Sequence, residues 1–260
     1  MLLRLVRLAV SAALIVGMLG LAAAAEAQDK VRIATEGSYA PFSFKAPDGT
    51  LQGFDVDIAR ALCDRAHMEC TIVAQAWDGI IPGLLTKKYD AIVASMSITD
   101  ERRKKVDFTD KYYQTPARFV ARKGSNIPIS KSGLKGKTIG AQRSTIHARY
   151  LQDNYADVAD IKLYDNQENA DLDLTAGRLD LVLADSIVLL EGFLTKPEGE
   201  NFEFVGPELR DPKWFGEGAG IAVRPGDVKL KDAFNRALAD ILKDGTYDKI
   251  DAKYFPFSIY

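Results

Sequence analysis

Cysteine and histidine are scarce in this chain, with two of each among 260 residues: Cys63, Cys70, His67 and His147. The histidines are far apart in sequence and no Cys/His pair has ligand spacing, so no metal centre is expected. No motif calls for a cofactor. An excess of positive charge is also missing: 34 Lys and Arg stand against 36 Asp and Glu, a net charge of -2. Proteins that neutralise phosphate backbones usually carry a basic excess, so nucleic acid is not an expected partner. The short basic clusters Arg102–Lys105 and Lys135–Lys137 lie among acids and read as solvated faces, Arg102 excepted. Long apolar runs are absent except Leu8–Leu21, which falls short of the roughly 20 residues needed to span a bilayer. Arg4 and Arg7 begin that segment and Ala25-Glu26-Ala27 follows it, the layout of a cleavable secretory signal over residues 1–27 rather than a membrane anchor. Internal repeats and low-complexity tracts are lacking too.

Removing residues 1–27 leaves a chain that starts at Gln28, with 32 basic and 35 acidic residues and a net charge of -3. An exported chain meets an oxidising compartment. Cys63 and Cys70, seven positions apart, are therefore expected to form a disulfide rather than stay as buried thiols. Closing so short a loop contributes about 2 to 3 kcal/mol in the chain-entropy model.

The pattern is α/β, with alternating strands and helices in two lobes. Val31–Thr35, Thr71–Gln75 and Ala91–Ala94 read as strands of a first lobe. Val56–Ala66 reads as an amphipathic helix, with Val56, Ile58, Ala59, Leu62 and Cys63 on its apolar face. Ile58 and Phe54 are assigned to the core. A second series has strands at Arg118–Ala121, Thr138–Gly140, Ile161–Tyr164 and Leu181–Ala184. Its helices lie near His147–Gln152, Glu168–Ala176 and Ile187–Leu194. A strand at Gly220–Val223 and helices at Leu230–Lys243 and Tyr247–Lys253 close the chain.

The segment Ala91–Tyr113, AIVASMSITDERRKKVDFTDKYY, carries the most chemistry. An apolar strand gives way to Ser95 and Ser97, and Thr99 or Asp100 can cap the helical turn that bears Arg102. A guanidinium fork beside helix N-terminal amides holds a carboxylate through parallel charge-assisted hydrogen bonds, which a Lys point charge would not reproduce.

This segment, with EGSYAPF (36–42), GFDVDIA (53–59), WDGIIPGL (77–84), LKGKTIGAQRST (134–145), TAGRLD (175–180) and DGTYDKI (244–250), resembles the bacterial extracellular solute-binding proteins of the polar amino-acid branch. The likeness is to members for lysine, arginine, ornithine and histidine, and it spans nearly the whole mature chain. It implies a two-lobe periplasmic binding protein type II fold, with a ligand cleft between lobes and a two-stranded hinge. Residues 28–115 plus 217–260 would form lobe 1, and 116–216 lobe 2. The crossings would fall near Tyr113–Ala117 and Arg210–Gly218, where Gly216 and Gly218 can absorb rotation.

The resemblance also implies the site. Arg102 would bind an α-carboxylate, with Ala94, Ser95, Ser97 and Thr145 adding hydroxyl or backbone bonds. Asp185, at a strand end, would accept from the α-ammonium, cap the next helix, or do both, unless Ser186 caps it. Tyr39 and Trp77 match the side-chain slot, where two rings sandwich an aliphatic stem or a guanidinium. Glu36 matches the acid that members for cationic amino acids use at the far end of the slot, where a buried acid needs a cation. Ser144, Thr145 and Ile146 depart from the Gly and two hydroxyl residues common in relatives, so one hydroxyl and the freedom of Gly are lost. Gln142 and His147 are placed to compensate, and His147 either reaches ligand or lies on the helix surface.

The expected function is that of a monomeric periplasmic subunit. It would bind a cationic L-amino acid (arginine, ornithine or lysine) by cleft closure and deliver it to an inner-membrane ABC permease. Histidine or opine capture is the alternative, and Ser97 would crowd an opine more than Gly would. A cyclohexadienyl-dehydratase-like enzyme and a ligand-sensing subunit are further rivals. Against catalysis, Ser144 precedes His147 by three residues but has no acid partner for a triad and no oxyanion hole.

Overall fold

A computed structural model describes residues 29–260. The expected signal segment, 1–27, lies outside the described residues. The chain opens with β1 (Lys30–Thr35), followed by a small three-stranded meander of β2 (Ser38–Tyr39), β3 (Ser43–Lys45) and β4 (Leu51–Gln52). Helix α1 (Phe54–Arg65) starts directly after Gly53, whose φ is 124°. A Cβ there would lie 2.2 Å from the Phe42 carbonyl oxygen, so only glycine lets the chain turn this tightly. Next come β5 (Glu69–Ala74), a short 3₁₀ turn at Trp77–Gly79, α2 (Ile80–Leu85), β6 (Ala91–Ile92), α3 (Asp100–Arg103) and β7 (Asp107–Tyr113).

The chain then enters a second sheet. Its elements are β8 (Ala117–Arg122), β9 (Thr138–Gln142), α4 (Ile146–Tyr155), β10 (Asp160–Tyr164), α5 (Gln167–Thr175), β11 (Leu181–Asp185), α6 (Ser186–Leu189) and β12 (Phe202–Leu209). After α7 (Pro212–Phe215) the chain returns to the first sheet as β13 (Ala219–Val223) and ends in α8 (Val228–Lys243) and α9 (Thr246–Tyr254). The strand orders are β5-β1-β6-β13-β7 and β10-β9-β11-β8-β12. In the first, β5, β1 and β6 are parallel and β13 lies antiparallel to both β6 and β7. In the second, β10, β9 and β11 are parallel and β8 lies antiparallel to both β11 and β12.

The buried faces follow the sequence periodicity. Helix α1 buries Val56, Ile58, Ala59, Leu62 and Cys63 against α8, whose buried Leu230, Phe234, Ala237, Leu238 and Ile241 keep helical spacing. Cys63 and Cys70 form a disulfide that ties α1 to β5. The predicted strands all appear. The segment read as one helix over Ile187–Leu194 divides instead, because α6 ends at Leu189 and a wider π turn covers Leu190–Leu194. Besides the short meander strands β2, β3 and β4, two longer strands were not anticipated: β7, whose buried residues do not alternate, and β12, whose Gly206-Pro207 reads as a turn and sits at a bulge. Among the described residues no helix is long and apolar enough to cross a membrane.

Candidate ligand-binding site

The site grows from strand ends. Strand β1 stops at Thr35, and Gly37, with φ 79°, turns the chain just past Glu36, which is held 8% exposed at the C-terminal end of that interior strand. Its Oε1 accepts from Gln142 Nε2 at 2.5 Å and from the Ser38 hydroxyl at 3.3 Å. Burial pushes the Glu36 carboxyl up to about 7; the nearby Glu168 and Asp55 carboxylates add to the rise, and the two hydrogen bonds oppose it. No Lys, Arg or His among the described residues pairs with it.

Thr99 caps α3, its hydroxyl accepting from Arg102 N, as the sequence allowed. That turn aims Arg102 inward, where Nη1 donates to the Ser97 carbonyl at 3.0 Å and Cζ lies 5.2 Å from the Trp77 ring centroid. Burial lowers the guanidinium to about 10, which leaves it charged at neutral pH. The Trp77 ring is thus engaged by Arg102, and it does not stack with Tyr39, which pairs with Phe42 at 6.3 Å between centroids. Arg103, read as a surface residue, pairs with Glu217 at 3.0 Å.

Ser95 has a left-handed backbone, φ 52°, unusual outside glycine. Its N–H donates to the Tyr112 hydroxyl at 3.0 Å, its Oγ donates to Asp55 Oδ2 at 2.9 Å, and Tyr112 donates to Asp55 Oδ1 at 2.7 Å. Asp55 is fully buried and burial raises it to about 6. Asp55 and Tyr112 were not singled out from the sequence. The usable signal was an aspartate within the apolar stripe of α1, flanked by Phe54 and Val56 with Ile58 and Ala59 one turn on.

The second sheet supplies the facing wall. Gln142 ends β9 and donates to the Asp165 carbonyl at 3.2 Å as well as to Glu36. Ser144 adopts φ 58°, so the left-handed turn that glycine would favour is kept by a serine. Its carbonyl accepts from Trp77 Nε1 at 3.1 Å and its hydroxyl bonds to Asp78, both across the cleft. Thr145 caps α4: its Oγ1 accepts from Ala148 N at 3.1 Å and donates to the Gln142 carbonyl at 2.7 Å. His147 is 7% exposed and packs beside Phe215, so it faces the cleft rather than the helix surface. Burial, with Arg102 nearby, pushes the imidazole down to about 3, so it is neutral. At the end of β11, Asp185 caps α6 by accepting from Ile187 N at 2.8 Å, the role left open between it and Ser186. Its other oxygen accepts from the Thr115 hydroxyl, and burial raises it to about 6.

Glu36, Tyr39, Trp77, Ala94, Ser95, Ser97, Arg102, Gln142, Thr145 and His147, together with Ile146, line one narrow space of about 30 Å³. Asp185 lines an adjoining space that shares Tyr39, Ser95, Ser97, Ile146 and His147. Further pairs join the two sides at the rim: Arg149 with Glu101, and Arg143 with Asp78 at 3.8 Å. Helix α6 places Ile187 and Val188 in the apolar cluster of the first sheet, and a Cβ on Gly192 would lie 2.9 Å from the Ala40 carbonyl oxygen. The two sides are thus shut against each other. Among the described residues no cluster of His, Cys, Asp and Glu could hold a metal ion.

Two sheets of like strand order, joined by two crossings and enclosing a cavity that Glu36, Arg102 and two aromatic rings line, match a known family. The model for bacterial extracellular solute-binding proteins, family 3, fits residues 31–257. The chain belongs to that family. This family 3 protein is 48% identical over 255 residues, 98% of each chain, to the L-arginine-binding protein of Pseudomonas aeruginosa. It is 41% identical over 256 residues, 98% of each chain, to the histidine-binding periplasmic protein of Salmonella typhimurium. Among solved structures it resembles an ancestral arginine-binding protein bound to arginine, with a TM-score of 0.81 and 36% identity over 88% of this chain and 99% of that one.

Proposed function

We propose that this family 3 protein is the periplasmic substrate-binding subunit of an ABC importer, taking a cationic L-amino acid, arginine, ornithine or lysine, into the cleft and delivering it to an inner-membrane permease. The observation that carries this reading is Glu36: a buried carboxylate with hydroxyl and amide donors but no basic partner, lining the same space as the buried guanidinium of Arg102. Burying an acid this way is costly unless a cation completes it. An amino acid with a cationic side chain supplies a carboxylate for Arg102 and a cation for Glu36, and its α-ammonium suits Asp185. Residues 1–27 act as the export signal, and the mature protein works as a monomer.

The moving bodies in this reading are residues 28–115 plus 217–260 and residues 116–216. Glu36, Tyr39, Trp77 and Arg102 belong to the first body; Gln142, Thr145, His147 and Asp185 belong to the second. A ligand shifts the open-closed equilibrium only by its differential affinity for the two forms, and contacts divided between lobes provide that difference. Gly218, with φ 116° at the second crossing, accommodates the rotation: a Cβ there would press within 2.8 Å of the Tyr113 carbonyl oxygen.

Calorimetric titration of protein refolded to remove bound ligand tests the proposal, using arginine, ornithine, lysine, histidine, glutamine and octopine. Saturable binding of the cationic amino acids without glutamine supports it, and binding of none refutes it. Preference for histidine or octopine selects the alternative within the family. Turnover of prephenate or arogenate would assign an enzyme instead. The neutral, weakly basic His147 and the hydrogen-bonded oxygens of Asp185 argue against that.

A further inference from the structure

At the rim of the cleft, two neighbouring residues of the first lobe meet two neighbouring residues of the second. Trp77 Nε1 donates to the Ser144 carbonyl at 3.1 Å, and the Ser144 hydroxyl donates to Asp78 Oδ1. The other oxygen of Asp78 faces Arg143 Nε at 3.8 Å, within ion-pair range but too far for a hydrogen bond. That Nε is buried without a hydrogen-bond partner, while Nη1 of the same side chain is held at 3.0 Å by Asp165 of its own lobe. Asp78 therefore receives one group from the facing lobe on each of its oxygens. Neither Asp78 nor Ser144 lines the narrow space around Glu36 and Arg102. They border a larger cavity of about 890 Å³, which shares Trp77, Arg102, Thr145 and Ile146 with that space.

The backbone at Ser144 points the same way. Its φ of 58° lies where glycine is at ease and serine is strained, and such strain persists only where the surrounding contacts fix it. A glycine would keep the turn and the carbonyl that Trp77 reaches, and would lose only the grip on Asp78. In the division of lobes proposed above, that bond exists only while the cleft is shut. A bond made only in the closed form favours that form whatever lies inside. We infer that Ser144 and Asp78 form a latch: the serine hydroxyl holds the lobes together and slows the escape of the bound amino acid without choosing among ligands. This rests on the reading of the cleft as one that closes over its ligand, and adds the contact that sets how long the ligand stays. Trp77 ties the latch to the site, since its ring lies against Arg102 while its N–H is held by the facing lobe.

Ser144 is exposed and Asp78 about half-exposed, so the latch is a modest one. Refolded wild type, Ser144→Gly, Asp78→Ala and the double variant are titrated with L-arginine and L-lysine, and release is followed by stopped-flow displacement. Ser144→Gly is expected to weaken both ligands by the same factor, about threefold to tenfold, with association unchanged and the off-rate raised to match. Glycine accepts the left-handed turn, so this variant does not put the fold at risk. Asp78→Ala is expected to lose at least as much, because it gives up Arg143 as well, and the double variant no more than Asp78→Ala alone. An unchanged affinity in Ser144→Gly, losses that differ between the two ligands by more than about threefold, or a double variant that loses the product of the two single losses overturns the latch. Those outcomes leave the cleft reading standing if wild type binds. A wild type that binds neither ligand refutes the cleft reading, and the latch with it.

Discussion

The two sheets share a plan but differ in chemistry. Each has three parallel strands, then a strand antiparallel to both neighbours, then an antiparallel edge. Their strand ends nonetheless present different groups to the cavity. The first sheet contributes Arg102, Glu36 and the rings of Tyr39 and Trp77, groups that bind by charge and flat surface. The second contributes Gln142, Thr145 and Asp185, each already engaged in local hydrogen bonds, and a neutral His147. In the reading proposed above, the first lobe would capture the ligand and the second would check its shape and close over it.

The largest expected effect comes from removing the capturing cation. Arg102→Ala should weaken every α-amino acid by about a hundredfold or more in calorimetry, since one partner of a buried pair is lost. Comparable losses from single substitutions on the second wall would break the comparison. Glu36→Gln should follow, weakening arginine by about tenfold to a hundredfold and bringing glutamine closer to it. The same residue predicts a pH dependence. A cation binds the ionised carboxylate, and Glu36 sits at about 7, so arginine affinity should climb as pH rises from about 5 and level off above neutrality. Asp185, at about 6, contributes in the same direction, so Glu36→Gln should shrink the rise without abolishing it. Replacing Cys63 and Cys70 with serine should lower unfolding stability by about 2 to 3 kcal/mol in denaturant titrations and leave arginine affinity nearly unchanged, because the bond ties α1 to β5 away from the cavity. The smallest effect is expected from Arg149→Ala at the exposed rim. It should change affinity by about twofold at most, and chiefly through a faster off-rate.

The parallel strands and amphipathic helices were legible because a buried strand is a short apolar run and α1 keeps helical spacing. Strands β7 and β12 were not, since their pairing depends on segments distant in sequence and β12 carries a Gly-Pro pair at its bulge. The cavity residues were legible through the motif resemblance, and the structure gathers them at the strand ends. What the sequence hid were hydrogen-bond directions: that Ser95 turns both donors toward Asp55 and Tyr112, and that Gln142 spends its amide protons on Asp165 and Glu36. Those depend on which atoms meet in space. Ser144 is a similar case, because a left-handed serine stabilised by contacts to Trp77 and Asp78 looks in sequence like a lost glycine.

Strand β13 lies at the interior of the first sheet, between β6 and β7, yet is among the last segments of the chain. A polypeptide emerging from its N-terminus therefore cannot finish the half it begins. The sheet built from residues 117–209 has all its strands in hand first, while the earlier strands wait with an open slot. Assembly runs out of step with synthesis: the half made in the middle is completed first and the outer half last. Until Ala219–Val223 are present, β6 and β7 of the first sheet lack the strand that joins them.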